Sequence, residues 1–358
     1  MIKPFHPPKL PVKITLESFI NIVAEASFEL GQLNGLQKDL PNPTLLISPL
    51  TAKEATVSSK IEGTRSTVSD LFIYEAIEKS EYSETIEVVN YRKAMIFAME
   101  ALKNRKLNNS FIKELHSILL EGARGHRKRG EWRKGQVFIG EKGATIDKAT
   151  YIPPEAIFIP EYMENLEKYI LENDEHPLIK IAIIHYQFEA IHPFADGNGR
   201  IGRLLIPLYL YWKGLLFQPI LYLSGYFDKH RNQYIDTLHL VDQTQKYEVW
   251  IEFFLKAVKE QAKNTQSLIE KIKSLYKDTH QKLEKLKSPY ISRIVDFIFR
   301  QPVFEPPSLK EFINSSRATA LRIIEKMQQL KLVVSFIPSG RKRKIFIFKE
   351  LIDLLQNW

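Results

Sequence analysis

The stretch HPFADGNGRIGR, residues 192–203, is the part of this 358-residue chain from which the rest can be read outward. Gly197, Gly199 and Gly202 fall within six residues, and a strongly apolar run, LLIPLYLYW, follows at once. Glycines let backbone N–H groups turn toward an anion, and a helix starting just after them adds its positive end. The stretch therefore predicts a phosphate cradle. Arg200 and Arg203 lie three apart and share one face of the first helical turn. Cations there oppose the helix dipole, a conflict that a polyphosphate between them resolves. Asp196, immediately before the loop, is placed to hold a magnesium ion that bridges phosphates. Taken alone, an acid before a glycine reads equally well as a turn or a cap.

On the N-terminal side, residues 178–191 have helical spacing. Pro193 pushes His192 out of helical geometry, so the helix ends with the imidazole at the phosphate loop. Histidine is the side chain whose ordinary pKa best suits a general base near neutral pH. His185, seven residues earlier on roughly the same face, reads as a packing or orienting histidine, since no third ligand at suitable spacing accompanies it.

Composition narrows the class of protein around this loop. With 44% hydrophobic residues the chain can bury a sizeable core, and its length suggests two or three domains. It has no cysteine, which excludes disulfides, thiolate metal sites and cysteine nucleophiles. The N-terminus, MIKPFHPPKLPVKITLE, lacks the apolar run of a signal peptide, and no segment has about 18 uninterrupted apolar residues, so a cytoplasmic protein is expected. The formal net charge of +9 suits an anionic partner such as a nucleotide or nucleic acid, and equally a solvated lysine-rich surface.

Apolar spacing from Leu16 to about Lys285 is mostly helical. The exception is the region 130–154, where the β-prone run QVFIG at 136–140 and the sequence YIPP at 151–154 predict a hairpin. Residues 264–287, polar and lysine-rich, predict a long linking helix. Beyond Ser288 the spacing predicts helices over 290–300, 308–314 and 317–330, then two strands within 333–348 around Pro338-Ser-Gly340. That order is the order of a winged helix. The expected domains are an N-terminal helical region at 1–85, a core at 86–263, the linking helix at 264–287 and a winged-helix-like domain at 288–358.

HPFADGNGRIGR resembles the Fic-family signature HPFx(D/E)GNGRxxR at every specified position, and the similarity extends over roughly residues 49–255, including GEWRKGQVFIG and YFDKHRNQYIDTL. The resemblance implies a mostly α fold, a helical Fic core with a small β-hairpin flap. It also implies transfer of AMP from ATP, with Mg²⁺, to a Ser, Thr or Tyr hydroxyl of a target protein. His192 would be the base, Asp196 the metal ligand, and Gly197, Asn198 and Gly199 the phosphate-binding turn. Arg200 and Arg203 would neutralise the β- and γ-phosphates, with Ile201 and Gly202 between them in the nucleotide site. Val137, Phe138, Ile139 and Gly140 would form the flap that clamps the target as an added strand and approaches the nucleotide. Tyr234 would lie beside the adenine.

Upstream, SSKIEG at 58–63 fits the family's inhibitory pattern (S/T)xxxE(G/N). Ser58 and Glu62 share a helix face, and Gly63 suits the position just past a helix C-terminus. A glutamate in a last helical turn opposes the dipole and gains from an external cation. By the resemblance that cation is Arg203, which would then be held from the γ-phosphate. Residues 288–358 hold twelve Lys and Arg against six Asp and Glu. Arg317, Arg322 and Lys326 fall on the expected recognition helix, and RKRK at 341–344 on the wing. That distribution leaves nucleic acid beside protein targets, self-modification and a homodimer as candidate partnerships. The alternative reading of the whole chain is a DNA-binding regulator with a nucleotide-sensing core.

Overall fold

The computed structural model describes residues 3–38, 44–77, 84–123, 128–140, 143–172, 175–338 and 343–357. It is mostly helical. In chain order the α-helices are α1 (Ile20–Lys38), α2 (Thr44–Ile61), α3 (Val68–Ile77), α4 (Thr85–Ala101), α5 (Asn109–Leu119), α6 (Ile159–Leu171), α7 (Pro177–Ile191), α8 (Asn198–Trp212), α9 (Ser224–Lys229), α10 (Arg231–Thr244), α11 (Glu248–Glu284), α12 (Ile291–Arg300), α13 (Pro306–Ile313), α14 (Arg317–Gln329) and α15 (Lys349–Gln356). No helix among the described residues is long and apolar enough to cross a membrane.

The chain divides into two compact units, and the division does not follow the linear order of expected domains. Met1–Gly35 joins Asn90–Lys263 in the first, and Leu36–Val89 joins Asn264–Trp358 in the second. The residues expected as one N-terminal region, 1–85, are thus shared between units. The expected linking helix is the later part of the 37-residue α11.

At the centre of the first unit is α7. Every residue from Leu178 to Ile191 except Glu189 is buried, the pattern of a helix enclosed on all sides. Burying each Leu, Ile or Phe contributes roughly 1.5–3 kcal/mol. The helix starts where Pro177 occupies the first turn and the His176 ring accepts the Leu178 N–H. The antiparallel hairpin of α7 and α8 is joined by the turn 192–197, while α5 and α6 pack alongside. From α11, the buried Trp250 indole donates to the Ala182 carbonyl at 2.7 Å.

Among the described residues of the expected hairpin at 130–154, the pairing is an antiparallel bridge of Ile139 with Tyr151. Gly140 and Gly143, a 3-10 turn at Ile146–Lys148 and Pro153-Pro154 interrupt the ladder on either side.

The second unit holds α2, α3 and α12–α15 around a three-stranded antiparallel sheet of β1 (Val303–Phe304), β2 (Val334–Phe336) and β3 (Ile345–Ile347), ordered β1-β3-β2. Val303 pairs with Ile347, and Val334 faces Ile347 from the other side. The expected helices at 290–300, 308–314 and 317–330 are present within two residues at each end. Of the expected basic wing, Arg343 and Lys344 are described and exposed, and Arg341 and Lys342 lie outside the described residues.

Candidate active site

The turn between α7 and α8 is shaped by its own side chains. Buried Asn198 accepts from the Phe194 N–H at 2.8 Å and donates from its amide nitrogen to the Phe194 carbonyl at 2.9 Å. Its side chain therefore closes the turn, and its share in holding an anion falls to the backbone. Gly197 takes φ +80, the left-handed region that a glycine occupies without strain. It is the N-cap of α8 and offers no side chain to the helix end. Helix geometry leaves the first-turn N–H groups without intrahelical acceptors, so this end is built for an external anion. Arg200 and Arg203, each 3% exposed, sit in the first and second turns of α8, on one face as expected from their spacing.

Gly202 has a steric reason as well. A Cβ there would meet Glu189 Oε1 at 2.2 Å and the His185 ring at 3.4 Å. A side chain there would displace the Glu189 carboxylate.

His192 ends α7 in the left-handed conformation, φ 51 and ψ 60, a state that costs a non-glycine residue about 1–2 kcal/mol. Strain of this kind persists where the surroundings over-determine it. Here the surroundings are Phe188, whose carbonyl accepts the His192 N–H at 3.0 Å, and Arg133, whose Nε donates to the His192 carbonyl at 2.8 Å. The His192 Nδ1 lies 3.4 Å from the Glu189 carbonyl, which can only accept. With the proton on Nδ1, Nε2 is the basic nitrogen.

Arg133 was not singled out by its sequence position, although it falls in the GEWRKGQVFIG stretch. It is 4% exposed and ties together three pieces of chain. Besides His192 it donates to the carbonyls of Gly135 at 3.0 Å and Pro154 at 2.5 Å, and its own N–H donates to Pro193 at 2.9 Å. Both ends of the 136–153 segment are thus fixed to the backbone of His192. Within that segment Phe138 and Ile139 are exposed, and the backbone bonds that hold it run through Ile139 to Thr150 and Tyr151.

His116, on α5, is a second residue that spacing did not reveal. Its ring stacks on Phe194 at 3.6 Å between centroids. Its Nδ1 accepts the Gly130 N–H at 2.9 Å, so its proton is on Nε2, which donates to the Asp196 carbonyl at 3.0 Å. Burial holds the imidazole neutral, with a pKa pushed down to about 4.

Asp196 is half exposed. One carboxylate oxygen accepts the Gly197 N–H at 2.6 Å and faces Arg200 at 3.4 Å. The second oxygen makes no bond to a described residue. Among the described residues no cluster of three His, Asp or Glu is gathered to hold a metal alone. One carboxylate beside a phosphate cradle is the donor set of magnesium carried in with a nucleotide, so the residues fit that ion.

His185 is fully buried, its Nδ1–H given to the Gly202 carbonyl at 3.1 Å and its Nε2 accepting from the Tyr234 hydroxyl at 2.9 Å. This is the packing and orienting role its position suggested. Tyr234, expected beside the adenine, is a core residue, 6% exposed with its ring stacked on Phe227 at 4.4 Å. Its hydroxyl and one ring face are taken up inside the protein. In the second unit, Glu62 is the exposed residue that closes α2. The Gly63 N–H donates to Lys60 and the Thr64 N–H to Ser59, with Gly63 left-handed at φ +92. That pair of bonds is a Schellman ending. Ser58 is buried within the helix.

Two family models match the chain: Fic/DOC family N-terminal over residues 20–100, and Fic/DOC family over residues 106–210, which contains the whole turn. Together they take in more than half of the chain. The protein adenylyltransferase Fic of Aedes aegypti is 28% identical over 179 residues, 47% of this chain and 32% of that protein. The protein of the same name from Nematostella vectensis is 30% identical over 154 residues, 41% of this chain and 33% of that one. The chain thus spans about a third of the length of these curated relatives. A crystal structure of a Fic family protein from Desulfovibrio desulfuricans G20 has the same fold over 96% of this chain and 98% of its own, with TM-score 0.61 and 23% identity. Fic-1 from C. elegans superposes with TM-score 0.55 over 70% of this chain and 74% of its own, at 20% identity. On the signature at 192–203 and both family models, the chain belongs to the Fic/DOC family.

Proposed function

We propose that the protein transfers AMP from ATP to a serine, threonine or tyrosine hydroxyl of a protein. The observation that carries this reading is the N-terminus of α8, which no side chain caps, with two buried arginines in its first two turns and His192 at the end of the preceding helix. The relatives named protein adenylyltransferase support the same reaction.

In the proposed step His192 Nε2 takes the proton of the attacking hydroxyl. The oxygen forms a bond to the α-phosphorus as the bond from that phosphorus to the bridging oxygen of the β-phosphate breaks, and pyrophosphate leaves. Backbone N–H groups at 198–200 hold phosphate oxygens, and Arg200 and Arg203 spread the charge of the leaving pyrophosphate, which is positioning plus electrostatic stabilisation. Magnesium entering with the nucleotide would be held by Asp196 and would neutralise phosphate charge. The 137–140 segment accepts the target as an added strand, with exposed Phe138 and Ile139 contributing apolar contact.

Regulation follows from Glu62. We read it as the partner of Arg203, an ion pair that keeps this arginine from the γ-phosphate and lowers resting activity. With labelled ATP, Glu62→Gly is expected to raise automodification and His192→Ala, added to it, to abolish the signal. Persistence of label after loss of His192 would sink the proposed base.

We read residues 288–358 as winged-helix-like, on the order α12–α13–α14 followed by β2 and β3. Exposed Arg317, Arg322, Arg343 and Lys344 favour a polyanion as its ligand. A gel shift of the full chain on duplex DNA across a salt series tests this, and binding that ignores salt or is absent at low salt argues against it.

A further inference from the structure

The helix that ends at Glu62 belongs to the C-terminal unit by packing. α2 lies against α12 and α15. Two of its side chains close the ends of those helices. Ser48, 6% exposed, donates from Oγ to the carbonyl of Arg300, the last residue of α12, at 2.6 Å. Lys53 donates from Nζ to the carbonyl of Leu355, in the last turn of α15, at 2.9 Å.

A helix C-terminus leaves its last carbonyls without intrahelical donors and carries the negative end of the dipole. A hydroxyl and an ammonium are the groups such ends accept. These bonds do more than satisfy α12 and α15, because they grip α2 on the way to a functional residue. From Lys53 to Ile61 the chain is continuous helix, about 12 Å at 1.5 Å per residue, and Glu62 follows at once in the turn closed by the Schellman bonds of Gly63 and Thr64. No glycine or proline interrupts that stretch to act as a hinge. A displacement at Lys53 is carried along this stretch to the Glu62 backbone, and Ser48 adds its hold one residue before Pro49, toward the N-terminal side of the same helix.

We propose that Ser48 and Lys53 are positioning residues through which the C-terminal unit holds the Glu62 segment, so that this unit sets the strength of the restraint on Arg203. The proposal rests on the reading of Glu62 as the inhibitory residue. Neither anchor is among the residues proposed to bind nucleotide or target. Their loss would therefore act through Glu62 alone.

The test uses the full chain with magnesium and ATP, reading automodification by intact mass and unfolding by thermal melting. Lys53→Met keeps the apolar stem and removes the donor, Ser48→Ala removes the hydroxyl, and Lys53→Arg keeps a cationic donor. Each is made with Glu62 present and with Glu62→Gly. Expected is a gain of about 5-fold or more for Lys53→Met or Ser48→Ala, the low end of ordinary coupling between sites. Lys53→Arg should stay near the parent, and no further gain should appear on Glu62→Gly. A purely structural role would lower melting without raising modification, and that result overturns the proposal while leaving the Glu62 reading intact if Glu62→Gly alone activates. A gain from Lys53→Met that persists in full on Glu62→Gly also overturns it. If Glu62→Gly itself gives no gain, the Glu62 reading fails and the proposal with it.

Discussion

Arg133 Nε donates to the carbonyl of His192 at 2.8 Å, and the same guanidinium holds the carbonyls of Gly135 and Pro154. One buried side chain therefore fixes the strained backbone of the proposed base and both ends of the segment proposed to dock the target. Arg133→Met is expected to lower transfer by about 10²-fold, the cost of displacing reacting groups by roughly 1 Å. ATP affinity should change far less, since the α8 turn is closed by Asn198 and His116. Steady-state kinetics beside nucleotide titration separate the two, and an equal loss in both would count against the positioning role.

Asn198 closes the phosphate turn with two bonds to Phe194. Asn198→Ala leaves a buried N–H and C=O unpaired and should cost about 1–3 kcal/mol of stability. Nucleotide binding should weaken with it, because the turn that presents the N–H groups loosens. Chemical denaturation and ATP titration check the two effects. A stable variant with normal binding would show that the turn holds without the amide.

The buried His185 gives the catalytic unit an acid limit. Burial, with the charge of Arg203 adding to it and the bond to Gly202 opposing, pushes its pKa down to about 3, against an ordinary value of 6.5. Between those values the unfolded chain takes up a proton that the native ring refuses. Stability that is fully present above pH 6.5 is therefore lost as pH falls toward 3, by at most about 1.4 kcal/mol per pH unit from this residue. Melting temperatures at pH 7, 6 and 5 should fall in order. His116, also held neutral by burial, adds to the same trend, so His185→Gln should reduce the slope by about half, and an unchanged slope in that variant would assign it elsewhere.

Much of this is legible in the sequence. The end of α7 at Ile191, the start of α8 and the left-handed Gly63 follow from Pro193, Gly197 and the position of Gly63 itself, all local features of backbone chemistry. For Tyr234, helical spacing on α10 gives a face but not its neighbours, so the bond to His185 and the stacking on Phe227 are visible only in the structure. At 130–154 the β-prone residues of 136–140 mark the antiparallel pairing of Ile139 with Tyr151, while the neighbouring glycines and prolines limit its length. Short pieces such as Val303–Phe304, lying between prolines, and Lys349–Gln356 carry too little periodicity to stand out. Arg133, His116, Ser48 and Lys53 act through bonds to backbone carbonyls or amides far along the chain, and no spacing rule records such partners.

The central claim is a restrained AMP transferase, and the most direct measurement is the intact mass of the full chain carrying Glu62→Gly after incubation with magnesium and ATP. The account predicts a gain of one AMP per modified site, absent when His192→Ala is added and small in the parent protein. A gain of a lone phosphate, or no gain beside an unmodified parent, would contradict it.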